Sequence, residues 1–196
     1  MTVSKTREML IKVAKELFAR HGVDGTTMND IALASGKGRR TLYTYFKSKN
    51  EIYQAAVESE LNQLYNMLTD ISRKELPANE KLITFFYTRL EALKSLVIRN
   101  GSLRANFFRD IWRVEKIRKN FDLRETELIQ NILEAGVKEG IFVIPNVSVT
   151  AMILHYSLKG LEVPFIRGSM GDEAAQKEVR RENVVNLIMN GLMVKK

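Results

Sequence analysis

The stretch GKGRRTLYTYFKSK, residues 36–49, holds five Lys or Arg side chains and three aromatic rings within fourteen residues. On a helical wheel, Leu42 and Phe46 fall on one side and can anchor a short helix. Arg40 and Thr44 then point away from the anchoring side. This outward face is poor material for a hydrophobic core, and its composition favours contact with a polynucleotide.

The side-chain types on this outward face match the chemistry of duplex DNA. Arginine can pair bidentately with guanine in the major groove, and threonine offers a hydroxyl and a methyl group to thymine. Tyrosine hydroxyls and lysines reach phosphate oxygens. The residues that we expect to contact DNA are Thr27, Lys37, Arg39, Arg40, Thr41, Tyr43, Thr44, Tyr45 and Lys49.

Two short helices joined by a glycine-containing turn are predicted around this stretch. Thr27 can cap the first of them, with Asp30 at the reciprocal position of a capping box. Gly36-Lys37-Gly38 forms the turn, and the second helix follows from about Arg39 to Phe46. The pattern is that of a helix-turn-helix, whose second helix enters the major groove. Ser48 and Glu51 then open a long helix, whose N-terminus beside Lys49 favours a phosphate.

The positive charge of the chain is concentrated in the same region. The 196 residues carry a net charge of +8. Residues 1–50 hold ten Lys or Arg against four Asp or Glu, whereas residues 51–196 hold twenty-one against nineteen. An anionic polymer would therefore be attracted to the first quarter of the chain.

The remainder of the sequence reads as a succession of longer amphipathic helices. They are expected at 77–101, 102–119, 122–140, 147–167 and 173–193, with Asp122 and Glu125 capping the third of these. The predicted fold is all-α with about nine helices. Residues 1–47 form a three-helix DNA-binding head, and residues 48–196 form a larger helical body.

Composition argues against an enzyme, which is the main competing class. There is no cysteine, and the two histidines are far apart in sequence. We find no Gly-x-Ser-x-Gly motif, no phosphate-binding glycine loop and no cluster with metal-ligand spacing, so no reaction, cofactor or metal is nominated. No apolar run approaches the roughly 18 residues of a membrane span. The expected location is the cytoplasm.

Residues 7–57 resemble the N-terminal domain of the TetR/AcrR transcriptional regulators. The shared features, with consistent spacing, are Arg7, Leu10, Phe18, Gly22, Thr26-Thr27, Ile31-Ala32, Ser35-Gly36, Thr41-Leu42-Tyr43, Tyr45-Phe46-Lys47 and Ser48-Lys49. The resemblance implies a homodimer built on the last two helices and a small-molecule pocket in the body. It also implies a repressor that leaves a double-stranded DNA operator when its effector binds. Lys37 and Gly38 depart from the family pattern, which has an apolar residue and then a serine.

Several side chains in the body are candidates for effector binding. They are Phe86, Phe108, Trp112, His155 and Tyr156. Aromatic residues at helical spacing are more often part of a core, and His155 could equally be a core or interface residue. A nonspecific nucleic-acid-binding protein without a ligand, including an RNA-binding module, remains the alternative. Such a protein would show steep salt dependence with little preference between sequences.

Overall fold

Every regular element in the described part of the chain is an α-helix, and the all-α prediction is confirmed. The computed structural model describes residues 2–99, 111–167 and 174–192, and the side chains of 5–96, 115–167 and 183–192. The eight helices in these ranges are α1 (Thr2–His21), α2 (Met28–Ala34), α3 (Arg39–Tyr45), α4 (Lys49–Ser72), α5 (Ala78–Arg99), α6 (Ile111–Lys138), α7 (Val147–Ile166) and α8 (Ala174–Leu192).

One predicted helix boundary is wrong. A helix at 102–119 and a second beginning at Asp122 were expected, but α6 runs without a break from Ile111 to Lys138. The part of the predicted helix before residue 111 lies outside the described residues. Asp122 and Glu125 do not cap a helix, because their carboxylates face tertiary partners. Asp122, for example, accepts a hydrogen bond from Lys159 at 2.8 Å.

The chain divides into two compact units, which are described separately. The N-terminal unit comprises residues 1–63 and 95–119, and the C-terminal unit comprises residues 64–94 and 120–196. One apolar cluster forms the core of the N-terminal unit, and it draws on α1 to α4. Its buried members are Leu10, Ile11, Ala14, Phe18, Val23, Ile31, Ala32, Leu42, Phe46, Ile52, Tyr53, Ala55 and Ala56.

The link between α1 and α2 is fixed by backbone geometry and one buried hydroxyl. Gly22 has a φ of 78°, the left-handed conformation that ends α1. The buried Thr26 hydroxyl donates to the Gly22 carbonyl at 2.7 Å. The end of α1 and the start of α2 are thereby held at a defined spacing.

The core of the C-terminal unit is built from α5, α6 and α7 together with the last part of α4. Its largest apolar members include Leu68, Leu82, Phe85, Ile129, Leu133, Leu158 and Phe165. Gly136 on α6 permits a close approach, because a Cβ there would lie 2.1 Å from the Phe142 ring. None of the helices in the described residues is both long and apolar enough to cross a membrane.

Candidate nucleic-acid interface

Helix α3 is anchored by its apolar side and presents its polar side to solvent. Leu42 and Phe46 are 0% and 1% exposed within the N-terminal core. Arg40, Tyr43 and Thr44 are exposed. The predicted orientation of this helix is therefore confirmed, whereas its contact with DNA remains a prediction.

The flanking candidates on α3 differ in how much of each side chain is available. Arg39 is exposed, Thr41 is half-buried, and Tyr45 is half-buried with its ring packed against the core. The Thr44 hydroxyl donates to the Arg40 carbonyl at 3.0 Å, so its oxygen can still accept a hydrogen bond. Tyr45 thus has the anchored ring expected of a residue that offers only its hydroxyl to a phosphate.

A cation–π contact secures the end of α3. Phe46 terminates the helix, and its backbone amide donates to the Leu42 carbonyl at 3.0 Å. The Arg7 guanidinium lies 5.2 Å from the centroid of the Phe46 ring. Arg7 therefore brings α1 onto the end of α3 and places a further positive charge beside it.

Thr27 forms the capping box that the sequence predicts. Its hydroxyl accepts from the Asp30 amide at 3.1 Å and donates to the Asp30 carboxylate at 2.7 Å. The hydrogen bonds from the Thr27 side chain and backbone lower the pKa of Asp30 below its usual value. A phosphate at Thr27 would have to replace the Asp30 carboxylate as acceptor, so Thr27 is a weaker candidate than its sequence position suggests.

The turn between α2 and α3 is closed by its own backbone. The Gly36 amide donates to the Leu33 carbonyl at 3.0 Å, and the Lys37 amide donates to the Ala32 carbonyl at 3.1 Å. Gly36 has a φ of 63°, which favours glycine at this position. The Lys37 side chain is exposed, and Gly38 caps α3 without a side-chain hydrogen bond.

Lys49 has structural partners that the sequence did not reveal. Its ammonium group donates to the Val23 carbonyl at 2.8 Å and to the Asp24 carbonyl at 3.4 Å. Lysine has three donors, so one is left for a phosphate. The Glu51 amide donates to the Ser48 hydroxyl at 3.2 Å, so it is not available to a phosphate.

The turn and α3 themselves carry only positively charged side chains. No Asp or Glu occurs between Asp30 and Glu51, whereas Lys37, Arg39 and Arg40 are exposed within that interval. The turn and α3 thus form a positively charged segment with exposed hydrogen-bonding side chains at Arg39, Arg40, Tyr43 and Thr44. This is the arrangement of a major-groove reading helix.

Comparison with known proteins decides the family. The profile of the tetR family of bacterial regulatory proteins matches residues 10–56. The HTH-type transcriptional repressor KstR2 of Rhodococcus jostii is 30% identical over 144 residues, which span 71% of this chain and 69% of that protein. The chain belongs to the TetR family. It is accordingly a DNA-binding transcriptional regulator and not an enzyme.

Other relatives agree with this assignment. The HTH-type transcriptional regulator YhgD of Bacillus subtilis is 21% identical over 148 residues, spanning 76% of this chain and 78% of that protein. A transcriptional regulator from Cytophaga hutchinsonii has the same fold, with a TM-score of 0.75 and 23% identity. That likeness covers 95% of this chain and 98% of the other.

The candidate effector residues of this TetR-family chain fall into different environments. Phe86 is buried and packs edge-on against Phe85, with ring centroids 6.4 Å apart. His155 is buried, whereas Tyr156 is 62% exposed. Phe108 lies outside the described residues, and the Trp112 side chain is also outside them. Contact of any of these residues with an effector remains a prediction.

A buried ionic network lies within the C-terminal unit of the regulator. Arg89 on α5 donates through Nε to Glu125 of α6 at 2.5 Å and through Nη2 to Glu162 of α7 at 2.6 Å. His155 Nδ1 lies 2.9 Å from the second Glu125 oxygen. Arg89 and Glu125 are fully buried, and Glu162 and His155 nearly so.

Sequence reasoning missed this network, although a signal for it was present. Arg89, Glu125 and Glu162 each occupy a position on the apolar stripe of their helix, where a charge is rare unless it is paired. Burial by itself raises the pKa of Glu125. The Arg89 guanidinium and the His155 hydrogen bond outweigh that effect and hold the pKa below its usual value. Glu125 is therefore a carboxylate inside the protein.

Proposed function

We propose that this TetR-family regulator is a repressor that binds a near-palindromic operator as a homodimer and leaves it when a small molecule binds. Residues 1–47 serve as the DNA-binding domain and residues 48–196 as the regulatory and dimerisation domain. The observation that carries the proposal is the outward side of α3, where Arg40, Tyr43 and Thr44 are exposed above buried anchors. A cytoplasmic location is part of the proposal, because an operator binder must reach DNA.

The proposed contacts divide into base reading and phosphate binding. Arg39, Arg40 and Thr44 read base edges, because their side chains carry the donors and the methyl group that distinguish base pairs. Lys37, Tyr43 and Tyr45 bind phosphates, together with the remaining donor of Lys49. Thr27 at the start of α2 and the half-buried Thr41 on α3 are the remaining proposed contacts.

The proposed dimer uses α7 and α8. An exposed apolar stripe on α7 contains Val149, Met152, Ile153 and Tyr156, at helical spacing. Leu187 on α8 is also exposed. A two-fold dimer would cover these side chains and present two α3 helices to successive half-sites about 34–36 Å apart.

The proposed switch acts by a shift of population. An effector that prefers one arrangement of the C-terminal unit favours that arrangement, and α4 connects this unit by unbroken helix to the N-terminal unit. The effector changes operator affinity only as far as its own affinity differs between the two arrangements. A thermal-shift screen of metabolites and drugs would identify it, since a ligand of the folded state raises the midpoint.

A gel-shift comparison tests the proposal against nonspecific nucleic-acid binding. The full chain is titrated onto its own promoter region, an unrelated duplex of equal length and a single-stranded RNA at several salt concentrations. An operator binder keeps a gap of roughly 4–10 kcal/mol over nonspecific DNA. Equal affinity for all three probes at every salt concentration would reject the proposal in favour of nonspecific binding.

A further inference from the structure

Three residues with metal-binding side chains meet inside the C-terminal unit. Asp122 and Glu125 are one helical turn apart on α6, and His155 projects from α7. One ligand atom from each of the three lies within 4.8 Å of the others. The sequence separates His155 from Glu125 by thirty positions, so the cluster was invisible to spacing arguments.

The donor set and its spacing suit a divalent transition metal. One imidazole nitrogen and two carboxylate oxygens are ligands that Zn²⁺ and Co²⁺ accept. With metal–ligand bonds of about 2.0–2.2 Å, neighbouring ligands in a tetrahedral site lie roughly 3.3–3.6 Å apart. The His155 to Glu125 distance of 2.9 Å and the outer limit of 4.8 Å bracket that spacing. Metal binding at this spacing requires the three side chains to move around a common centre.

The carboxylate at the centre of the cluster is oriented before any metal arrives. Arg89 holds one Glu125 oxygen at 2.5 Å, which turns the other oxygen towards His155. Outer partners of this kind fix the orientation of metal ligands and raise affinity. Glu162 accepts a second hydrogen bond from Arg89 and balances its charge.

The cluster contributes two carboxylates to a cation. They belong to Asp122 and Glu125, and Glu162 offsets the charge of Arg89. Lys159 compensates Asp122 at 2.8 Å, but both side chains are partly exposed, at 19% and 16%. A metal bound at Asp122 would have to displace the Lys159 ammonium group from that carboxylate.

We propose that the C-terminal unit binds one divalent first-row transition-metal ion through Asp122, Glu125 and His155. The ion links α6 to α7, and water completes its coordination because the protein supplies three ligands. This site goes beyond the proposed function, since neither operator binding nor the effector switch requires a metal.

Cobalt absorption on the full-length, untagged, chelator-treated chain tests the site. We expect one Co²⁺ per chain, with visible d–d bands, and competition by Zn²⁺ in calorimetry. His155→Ala should abolish the bands. His21→Ala removes the other histidine, which is exposed on α1, and should leave them unchanged. The proposal is rejected if the wild type binds no Co²⁺ between equimolar and tenfold excess metal. It is also rejected if His155→Ala binds Co²⁺ as well as the wild type does.

A second variant keeps the test decisive if His155→Ala does not fold. Asp122→Asn changes a partly exposed ligand and should keep the helical circular-dichroism spectrum while lowering Co²⁺ affinity at least tenfold. Unchanged affinity in folded Asp122→Asn, or loss of the bands in His21→Ala, shows surface binding and overturns the assignment. All readouts omit DNA, so they are independent of whether the chain represses an operator.

Discussion

Arg40 is the exposed α3 side chain whose loss should change sequence preference most. Arg40→Ala is expected to cost about 1–3 kcal/mol of operator affinity and to relax the preference at one base pair, because a bidentate base contact is lost. Binding to a set of single-base operator variants measures this. Arg20→Ala, at an exposed position on α1, is the control and should leave the preference intact. A uniform loss over all variants would reassign Arg40 to phosphate binding.

Asp30, at the start of α2, should make the stability of the folded chain depend on pH. Its folded-state pKa is lowered by hydrogen bonds from Thr27, so its contribution to stability is present above the unfolded pKa. That contribution is lost as the pH falls through the folded pKa. We therefore expect wild type and Asp30→Asn to differ at neutral pH and to converge in acid. NMR titration of the Asp30 carboxyl group and unfolding curves from pH 7 to pH 2 measure it. A gap that stays constant over this range contradicts the prediction.

The tie between α4 and the loop after α1 depends on Lys49. Lys49→Ala should weaken binding to all duplexes alike and flatten the salt slope by about one unit, because one phosphate contact is lost. It should also lower the thermal midpoint, because the Val23 and Asp24 carbonyls lose their donor. Lys47→Ala, at an exposed neighbouring position, should leave the midpoint unchanged. A lower midpoint with an unaltered salt slope would make Lys49 purely structural.

The ion network that joins α5, α6 and α7 should be expensive to break from one side. Arg89→Met is expected to cost about 3–5 kcal/mol in the free energy of unfolding, because two buried carboxylates lose their counter-ion. Adding Glu125→Gln and Glu162→Gln should recover part of the loss. Lys15→Met, which removes the more exposed Lys15–Glu60 pair, should cost no more than about 1 kcal/mol. Denaturant unfolding measures the free energy of unfolding of each variant. Equal losses in Arg89→Met and Lys15→Met would contradict the prediction.

Elements with local signals were predictable from the sequence, whereas those fixed by distant partners were not. Leu42, Phe46 and the Thr27–Asp30 capping box lie within a few residues of the features that define them. The uninterrupted α6 was missed because Asp122 reads as a cap until its partner on α7 is known. The hydrogen bonds of the Lys49 ammonium group were missed for the same reason, because their carbonyl acceptors lie 25 and 26 positions earlier.

At the scale of the whole molecule, the dimer depends on the uncovered stripe of α7. Ile153→Glu should give a monomer at micromolar concentration and strongly reduced operator affinity, because a charge would be buried at the centre of the interface. Leu123→Glu, at an exposed apolar position on α6, is the matched control and should remain dimeric. Sedimentation velocity measures both. A wild-type monomer with full operator affinity would remove the dimer from the proposal.

The network also bears on how the chain is made. Glu162 follows Arg89 by 73 positions, so α5 leaves the ribosome well before this partner of Arg89 emerges. Until Glu162 is available, burial of the Arg89 guanidinium and the Glu125 carboxylate costs more free energy than leaving them in water. Packing of the C-terminal unit therefore stays incomplete. We therefore expect the C-terminal unit to finish folding only after α7 has been synthesised.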